Sequence, residues 1–302
     1  MNYKKVLVTG GTGFLGKNLQ IYKPEWIYAG TKTLDLLDYK NTENYLKYHK
    51  PDAIVHLAAR VGGIKENSEN QADFFYKNVA INTNLLEAAK NCKIKRVLSS
   101  LSTCAFPDKL QKYPFSEEDL YLGPPAITNF SYGYTKRMLQ VSSIAYRKQY
   151  NLNYSTFAPT NIFGPHDHFG KQSSHFVAAI LYKAKRAKPN AQIELWGTGK
   201  PLRQQLFVKD LCSIIPELLE IHDTQTPVIV APNENTSILS ISKMVNQISG
   251  KNLKFYFNGK LDGQYRKDGR NTRFKNLMPE FKFTPLQKAL KLTYDSINLE
   301  EL

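Results

Sequence analysis

Residues 9–16 read Thr9-Gly10-Gly11-Thr12-Gly13-Phe14-Leu15-Gly16, and this run constrains the fold more than any other stretch of the chain. It holds a GxGxxG pattern from Gly11 and a GxxGxxG pattern from Gly10. Such a pattern alone is a weak signal and can be a plain glycine turn. Here it follows the apolar strand Val6-Leu7-Val8 and opens a helix predicted through about Gln20, stopped near Pro24. Strand, glycine turn and helix N-terminus are the parts of a dinucleotide cradle. The glycines let backbone N–H groups approach a pyrophosphate, and the helix end supplies partial positive charge.

The alternation begun there continues. Trp26–Ala29, Ala53–Leu57, Arg96–Ser100 and Tyr154–Phe157 read as strands, and Ala72–Lys90 and Phe130–Gln149 as long helices with apolar residues at three- and four-residue spacing. Apolar strands alternating with helices predict an α/β fold with a doubly wound parallel sheet of Rossmann type. After Pro159 the pattern loosens: helices are predicted over Ser174–Ala187, Lys209–Ile221 and Ser237–Ser249, a β-type run over Leu253–Phe257, and a last helix after Thr284-Pro285. With 302 residues, the chain has room for a dinucleotide-binding domain over 1–162 and a smaller C-terminal α/β substrate domain over 163–302, some of whose segments return to the first.

Composition removes several classes. No apolar run approaches the roughly 18 residues of a membrane span, and the N-terminus has no long apolar segment of a secretory signal. Three cysteines without a CxxC exclude a disulfide framework and a cysteine-rich zinc site. A soluble cytoplasmic protein is expected, with no metal. The net charge of +15 fits a solvated surface first, an anionic nucleotide-type ligand second and nucleic acid last.

An NAD site wants an acid about 20 residues beyond the glycines, for the ribose hydroxyl. That window holds Ala29-Gly30-Thr31-Lys32, and no carboxylate precedes Asp35. Lys32 suits a 2′-phosphate, so NADP(H) is expected; Asp35 serving the ribose is the alternative. Farther on, Tyr132 and Lys136 form a YxxxK pair, which i, i+4 spacing puts on one helix face. A free phenol, with pKa about 10, is a poor acid at neutral pH, and a nearby cation favours its ionised form. A hydride-transfer enzyme needs such a group to protonate a carbonyl oxygen. Ser99-Ser100-Leu101-Ser102-Thr103-Cys104 follows the preceding strand, at the carboxyl end where open α/β sheets bind ligands.

Glycine fingerprint, serine and YxxxK, in that order, resemble the extended short-chain dehydrogenase/reductase superfamily. Within it, Ala58-Ala59-Arg60-Val61-Gly62-Gly63-Ile64, Ser102–Pro107, Pro159–Asp167, Ser174-His175, Trp196–Arg203 and Asp262-Gly263-Gln264-Tyr265-Arg266-Lys267 resemble the GDP-L-fucose synthase family over most of the chain. That family epimerises C3 and C5 of GDP-4-keto-6-deoxy-mannose, then reduces C4 with NADPH. The resemblance implies that Ser102 and Tyr132 bind and protonate the C4 oxygen. Lys136 would hold the nicotinamide ribose and lower the Tyr132 pKa, while Cys104 and His175 exchange the C3 and C5 protons. Cofactor contacts would come from Gly10, Gly11, Thr12, Gly13, Phe14, Leu15, Gly16, Thr31, Lys32, Asp35, Leu36, Ala58, Ala59, Tyr132, Lys136, Pro159, Asn161, Ile162 and His175. Lys183, Trp196, Arg203 and Arg266 would hold the GDP-linked 4-keto-6-deoxy sugar, and the family resemblance implies a homodimer through the two long helices.

Without that family, Cys104 reads as a small core residue, His175 as a capping or surface histidine, and Trp196 as core packing. Cys92 and Cys212 read as core, and His49, His56, His166, His168 and His222 as structural. The chain departs from the family at Phe176–Ala179, Gln204-Gln205, Ala231–Asn235 and Arg270, all on the substrate side. A C4 reductase of another GDP-4-keto-6-deoxy sugar, such as a heptose, is therefore the alternative enzyme. A dinucleotide-sensing protein using a basic surface is the non-enzymatic one, and the Ser102, Tyr132 and Lys136 set argues against it.

Overall fold

In the computed structural model, which describes residues 3–170, 174–260, 262 and 264–301, successive side chains of the first strand leave it on opposite sides. Val6 and Val8 of β1 (Val6–Thr9) enter one apolar core and Leu7 enters another. A strand that alternates between two cores must lie inside a sheet covered on both faces. The elements that supply the covers follow in order: α1 (Phe14–Tyr22), β2 (Ile27–Ala29), α2 (Tyr39–His49), β3 (Ala53–His56), α3 (Ile64–Glu69), α4 (Gln71–Asn91), β4 (Arg96–Ser100), α5 (Phe130–Tyr150) and β5 (Asn153–Pro159). One core joins Leu7 and Ile54 to Leu46, Leu85 and Leu139 of α2, α4 and α5.

Helix α2 carries no predicted counterpart. Asp38 caps it by accepting from the Asn41 N–H at 3.0 Å, and Lys50 ends it in the left-handed region.

The second half runs β6 (Asn161–Phe163), α6 (Phe176–Arg186), β7 (Gln192–Leu195), β8 (Leu202–Arg203), β9 (Gln205–Phe207), α7 (Val208–Ile221), β10 (Val228–Val230), β11 (Thr236–Ser237), α8 (Ile238–Ser249), β12 (Lys254–Phe257), β13 (Arg266–Lys267), α9 (Thr272–Leu277) and α10 (Leu286–Asp295). Several of these return to the first sheet, Phe274 of α9 and Leu206 of β9 among them. Strand β10 pairs in parallel with β5, and α7 packs Leu211 and Ile215 against Val6 and Val8. The main sheet is thus six parallel strands in the order β10-β5-β4-β3-β1-β2. The chain reverses its direction across the sheet between β1 and β3, and this switch point opens a crevice at the strands' carboxyl ends. Helices α6, α8 and α10 close a separate core around Phe163, Ile180, Leu181, Ile241 and Leu290. Small sheets, β12-β7 and β11-β8-β13, lie in this second lobe.

Candidate active site

The glycine loop occupies the switch point. Gly10 has φ +72°, and a Cβ there would lie 2.8 Å from the Ala58 backbone nitrogen at the end of β3. A Cβ on Gly16 would come within 2.6 Å of Gly11 Cα, so this glycine is what lets α1 start tight against the loop. Gly11 N–H donates to Ala29 O at 2.8 Å and ties the loop to β2. Helix α1 begins at Gly13 with no side-chain cap and no acid in its first turn. Its leading N–H groups are therefore offered to an anion, and the cradle fits a dinucleotide diphosphate.

A buried polar chain backs this cradle. Asn82 donates through its amide to Thr135 O at 3.4 Å, which turns Asn82 Oδ1 toward His56 Nε2 at 3.1 Å. His56 Nε2 then carries the proton, and Nδ1 accepts from the Thr9 hydroxyl at 2.8 Å. Burial, with the Lys136 charge adding to it, pushes His56 down to about 3, so it is neutral. Residues β1, β3, α4 and α5 contribute are locked together by this histidine, in keeping with its structural reading.

Beyond β2, Thr31 and Lys32 are exposed and Leu36 is buried. The Asp35 carboxylate accepts from Leu37 N at 3.0 Å, within its own turn. Across the crevice, Pro159 ends β5 beside β10, and Asn161 donates to Gln204 O at 2.9 Å while Ile162 packs beneath.

Beyond β4, Ser102 Oγ accepts from the Cys104 N–H at 3.1 Å and starts a short 3-10 turn over Thr103–Ala105. Helix α5 packs closely on that turn because Gly133 lacks a side chain: a Cβ there would lie 2.5 Å from Cys104 O and 2.6 Å from Pro125 Cβ. Arg137 also reaches Ala105 O at 2.5 Å. The close approach brings Tyr132 into the surroundings of Ser102.

Lys136 behaves otherwise than the YxxxK reading expects. Its ammonium donates to Ser100 O at 2.8 Å and lies 5.8 Å from the centre of the Tyr132 ring. Burial raises the Tyr132 phenol above its usual pKa, the Cys104 sulfur adds to this, and Ser102 opposes it without winning. The expected lowering of Tyr132 is corrected accordingly: desolvation sets the direction, and the phenol stays a proton donor. Burial also brings Lys136 down to about 8, with Cys104 opposing.

Cys104 is half-buried, and its Sγ accepts from Lys267 Nζ at 3.0 Å. Burial alone would push the thiol up. Lys267, through charge and hydrogen bond, then Ser102 and Arg203, overcome that, and the net direction is down. At the two other cysteines burial wins over the nearby cation: it raises Cys92 against Lys47, and Cys212 is pushed up to about 12 against Lys209.

His175 precedes α6, but its side chain makes no capping bond, which removes the capping reading. Its side chain is exposed to solvent, and desolvation by the surrounding protein lowers its pKa. Asp167 opposes that lowering, while Lys267 and His168 assist it. The Asp167 side chain is buried; Oδ1 accepts from His168 N at 2.7 Å, and Oδ2 has no partner among the described residues.

The carried-over substrate residues are unequal. Trp196 is 78% exposed, so the core-packing reading fails. Lys183 donates to Glu194 O at 3.0 Å on β7, one residue short of the loop that follows Leu195. Arg203 donates to Leu202 O at 2.7 Å and shares the field of Cys104 and Asp262. Arg266 is clamped by Asp268 at 2.6 and 2.9 Å and lies over the Tyr113 ring. Asp262 accepts from the backbone and hydroxyl of Thr198 at 2.8 and 2.6 Å, which joins the loop after β7 to the one before β13. Gly263 of the same motif lies outside the described residues.

The profile of the NAD dependent epimerase/dehydratase family matches residues 6–230. The GDP-L-fucose synthase of Dictyostelium discoideum is 36% identical over 299 residues, covering 95% of this chain and 93% of that protein. The chain belongs to the GDP-L-fucose synthase family. A probable GDP-L-fucose synthase of Drosophila melanogaster is 35% identical over 95% of both chains. A GDP-L-fucose synthetase from Naegleria fowleri, solved bound to NADP, superposes with a TM-score of 0.90 at 32% identity, over 97% of this chain and 92% of that one. A Campylobacter jejuni reductase of a GDP-keto-heptose shares the fold, with a TM-score of 0.89 at 21% identity.

Two residues at this GDP-L-fucose synthase-type site escaped sequence reasoning. Asp167 was inside a quoted motif, and Lys267 stood next to Arg266. Alternation along β13 was the available signal, since adjacent strand residues face opposite ways and only one of the pair can face Cys104.

Proposed function

We propose that the protein is an NADPH-dependent epimerase and reductase of a GDP-4-keto-6-deoxy sugar, acting as GDP-L-fucose synthases do. The observation that carries the reading is Cys104 paired with Lys267 at 3.0 Å beside Ser102 and Tyr132, with His175 in the field of the same Lys267.

The C4 ketone acidifies the protons on C3 and C5. Cys104, as thiolate, takes such a proton, and the electron pair moves onto the C4 oxygen, where Ser102 and Tyr132 stabilise the enolate. His175 returns a proton to the opposite face and inverts the centre; burial lowers its pKa, and the Asp167 charge offsets part of that lowering. The Gly10–Gly16 cradle would hold NADPH, which would supply the hydride for C4. Tyr132, kept protonated by its burial, then protonates the C4 oxygen. Lys136 holds the helix to β4 through Ser100 O and presents charge toward the nicotinamide ribose. Arg203 and Lys183 supply charge for the diphosphate, and exposed Trp196 offers a face for the base or sugar.

Incubation with NADPH and a panel of GDP-4-keto-6-deoxy sugars, hexose and heptose, with products assigned by NMR, tests this. Conversion of the mannose derivative with inversion at C3 and C5 is expected. Reduction without inversion, or of a heptose alone, favours the plain C4 reductase.

The same reading includes a homodimer. Phe75, Tyr76 and Val141 on α4 and α5 are exposed on adjacent helices, and pairing with a second copy would cover them. A dimeric mass by light scattering at micromolar concentration is expected; a monomeric mass refutes it. Among the described residues no helix is long and apolar enough to cross a membrane.

A further inference from the structure

Strand β13 runs parallel to β8 in a register that puts Lys267 opposite Arg203 and Arg266 opposite Leu202. Partners in register share a face, so the sheet delivers two cations, Lys267 and Arg203, to the side where Cys104 lies. Arg266 is held apart from it by Asp268 and Tyr113. The segment that carries Lys267 is fixed by backbone bonds: Phe115 N to Asp268 O at 2.9 Å and Arg270 N to Phe115 O at 2.6 Å. Gln204 closes the frame, accepting from Gly269 N at 2.9 Å and donating to Gly269 O at 3.1 Å and Pro232 O at 3.0 Å. Lys267 thus approaches the thiol from a fixed base, although 163 residues separate the two in sequence.

The other groups facing Cys104 cannot take this part. Ser102 donates no formal charge. Tyr132 keeps its proton, and Lys136 spends its bond on Ser100 O. Arg203 contributes charge while donating to Leu202 O.

We propose that Lys267 is the positioning residue that holds Cys104 as a thiolate in the resting protein, as an ammonium–thiolate pair. The inference rests on the epimerase reading above for its purpose, but the pair itself needs no substrate. The thiol proton has left to solvent before substrate arrives. The sulfur then carries the lone pair that accepts the proton from C3 or C5, and returns it to bulk water between turnovers. A cation in contact with sulfur favours the charged form and offsets what burial takes away.

The test is the pH dependence of iodoacetamide alkylation in the whole protein, scored cysteine by cysteine by peptide mass spectrometry. Cys92 and Cys212 serve as internal references. In the wild type Cys104 is expected to alkylate with a midpoint below the ordinary thiol value of about 8.5, well below Cys92. Lys267→Met should raise that midpoint by about one unit or more, slowing alkylation at pH 7 roughly tenfold. Lys267→Arg should restore it, and Cys92 should not move in either variant. A wild-type Cys104 midpoint at or above 8.5 overturns the proposal without any variant. So does a Lys267→Met midpoint equal to wild type.

Deuterium exchange at C3 and C5 of GDP-4-keto-6-deoxy-mannose is read in parallel. A low midpoint that Lys267→Met raises, with no wild-type exchange, sustains the ion pair and sinks the epimerase reading. Wild-type exchange with an unmoved midpoint does the reverse.

Discussion

Strand β4 has cations gathered near each end, and the two ends treat them oppositely. At its start, Arg96 is 1% exposed and spends every N–H on an acceptor. Nε and Nη2 donate to Leu219, Leu218 and His222 carbonyls at 2.8 to 3.1 Å, and Nη1 to Ser155 Oγ at 2.7 Å and Asn153 Oδ1 at 3.0 Å. The guanidinium closes the carbonyl end of α7. Burial lowers it only to about 10, so it stays charged at neutral pH. Beyond the other end, Lys136, Lys267 and Arg203 gather around one sulfur with a single acceptor apiece. A satisfied buried charge binds the protein to itself, whereas charges with donors to spare are arranged for a ligand. The comparison teaches that donor accounting, more than burial, separates structural cations from functional ones.

The largest test breaks the functional end. Tyr132→Phe should lose NADPH oxidation by several orders of magnitude, on the order of 10²–10⁴ or more for a lost proton donor. It should still exchange the C3 and C5 protons with D₂O, because Cys104, His175 and Ser102 remain. Cys104→Ala should do the reverse, abolishing exchange and leaving any reduction at C4 without inversion. If Cys104→Ala reduces normally and the wild type incorporates no deuterium, the protein is a plain C4 reductase.

Breaking the structural end should cost stability and spare chemistry. Arg96→Met leaves the acceptors at the end of α7 without donors and should destabilise by about 3–5 kcal/mol. Thermal denaturation should show a drop of roughly 10 °C, while NADPH binding per folded molecule stays as in wild type. An unchanged melting temperature would mean that water satisfies those carbonyls.

Acid should act on the same structural class. His56 and His222 are buried and neutral, pushed down to about 3 and about 4 by burial. The unfolded chain protonates both near 6.5 and the native state does not, so stability is complete above about 6.5 and falls as pH drops toward 4. The slope is about 1.4 kcal/mol per pH unit for each histidine. Urea midpoints should fall from pH 7 to pH 5; a rise would contradict the assignment of these two histidines as buried neutral groups.

The smallest effect concerns Lys32, an exposed cation with spare donors at the mouth of the cradle. Lys32→Glu should weaken NADPH about tenfold, some 1.4 kcal/mol, and leave NADH nearly unchanged by fluorescence titration. Equal losses for both would shift the ribose contact to Asp35.

How much of this was legible differs by element. Residues 9–16, Tyr132 and Lys136 could be read because their meaning is local: a turn needs glycine and a helix fixes i, i+4. Helix α2 could not, since its apolar positions are few and its cap at Asp38 was the only sharp mark. Strand β10 was three residues of a type that fits any buried segment. Gly133 was visible as a letter, but its purpose, letting α5 reach the Cys104 turn, depends on a neighbour 29 positions away.

By itself the sequence determined the parallel doubly wound sheet, the cradle at its switch point and the serine and tyrosine beside it, because short-range periodicity and turn chemistry dictate those. Only the tertiary structure decided which charges meet. It turned Lys136 onto Ser100 O, left Tyr132 protonated by desolvation, clamped Arg266 with Asp268, and set Lys267 on Cys104 through the register of β13 with β8. Electrostatic balance depends on distances and lost hydration between segments remote in the chain, and no local pattern of residues encodes either.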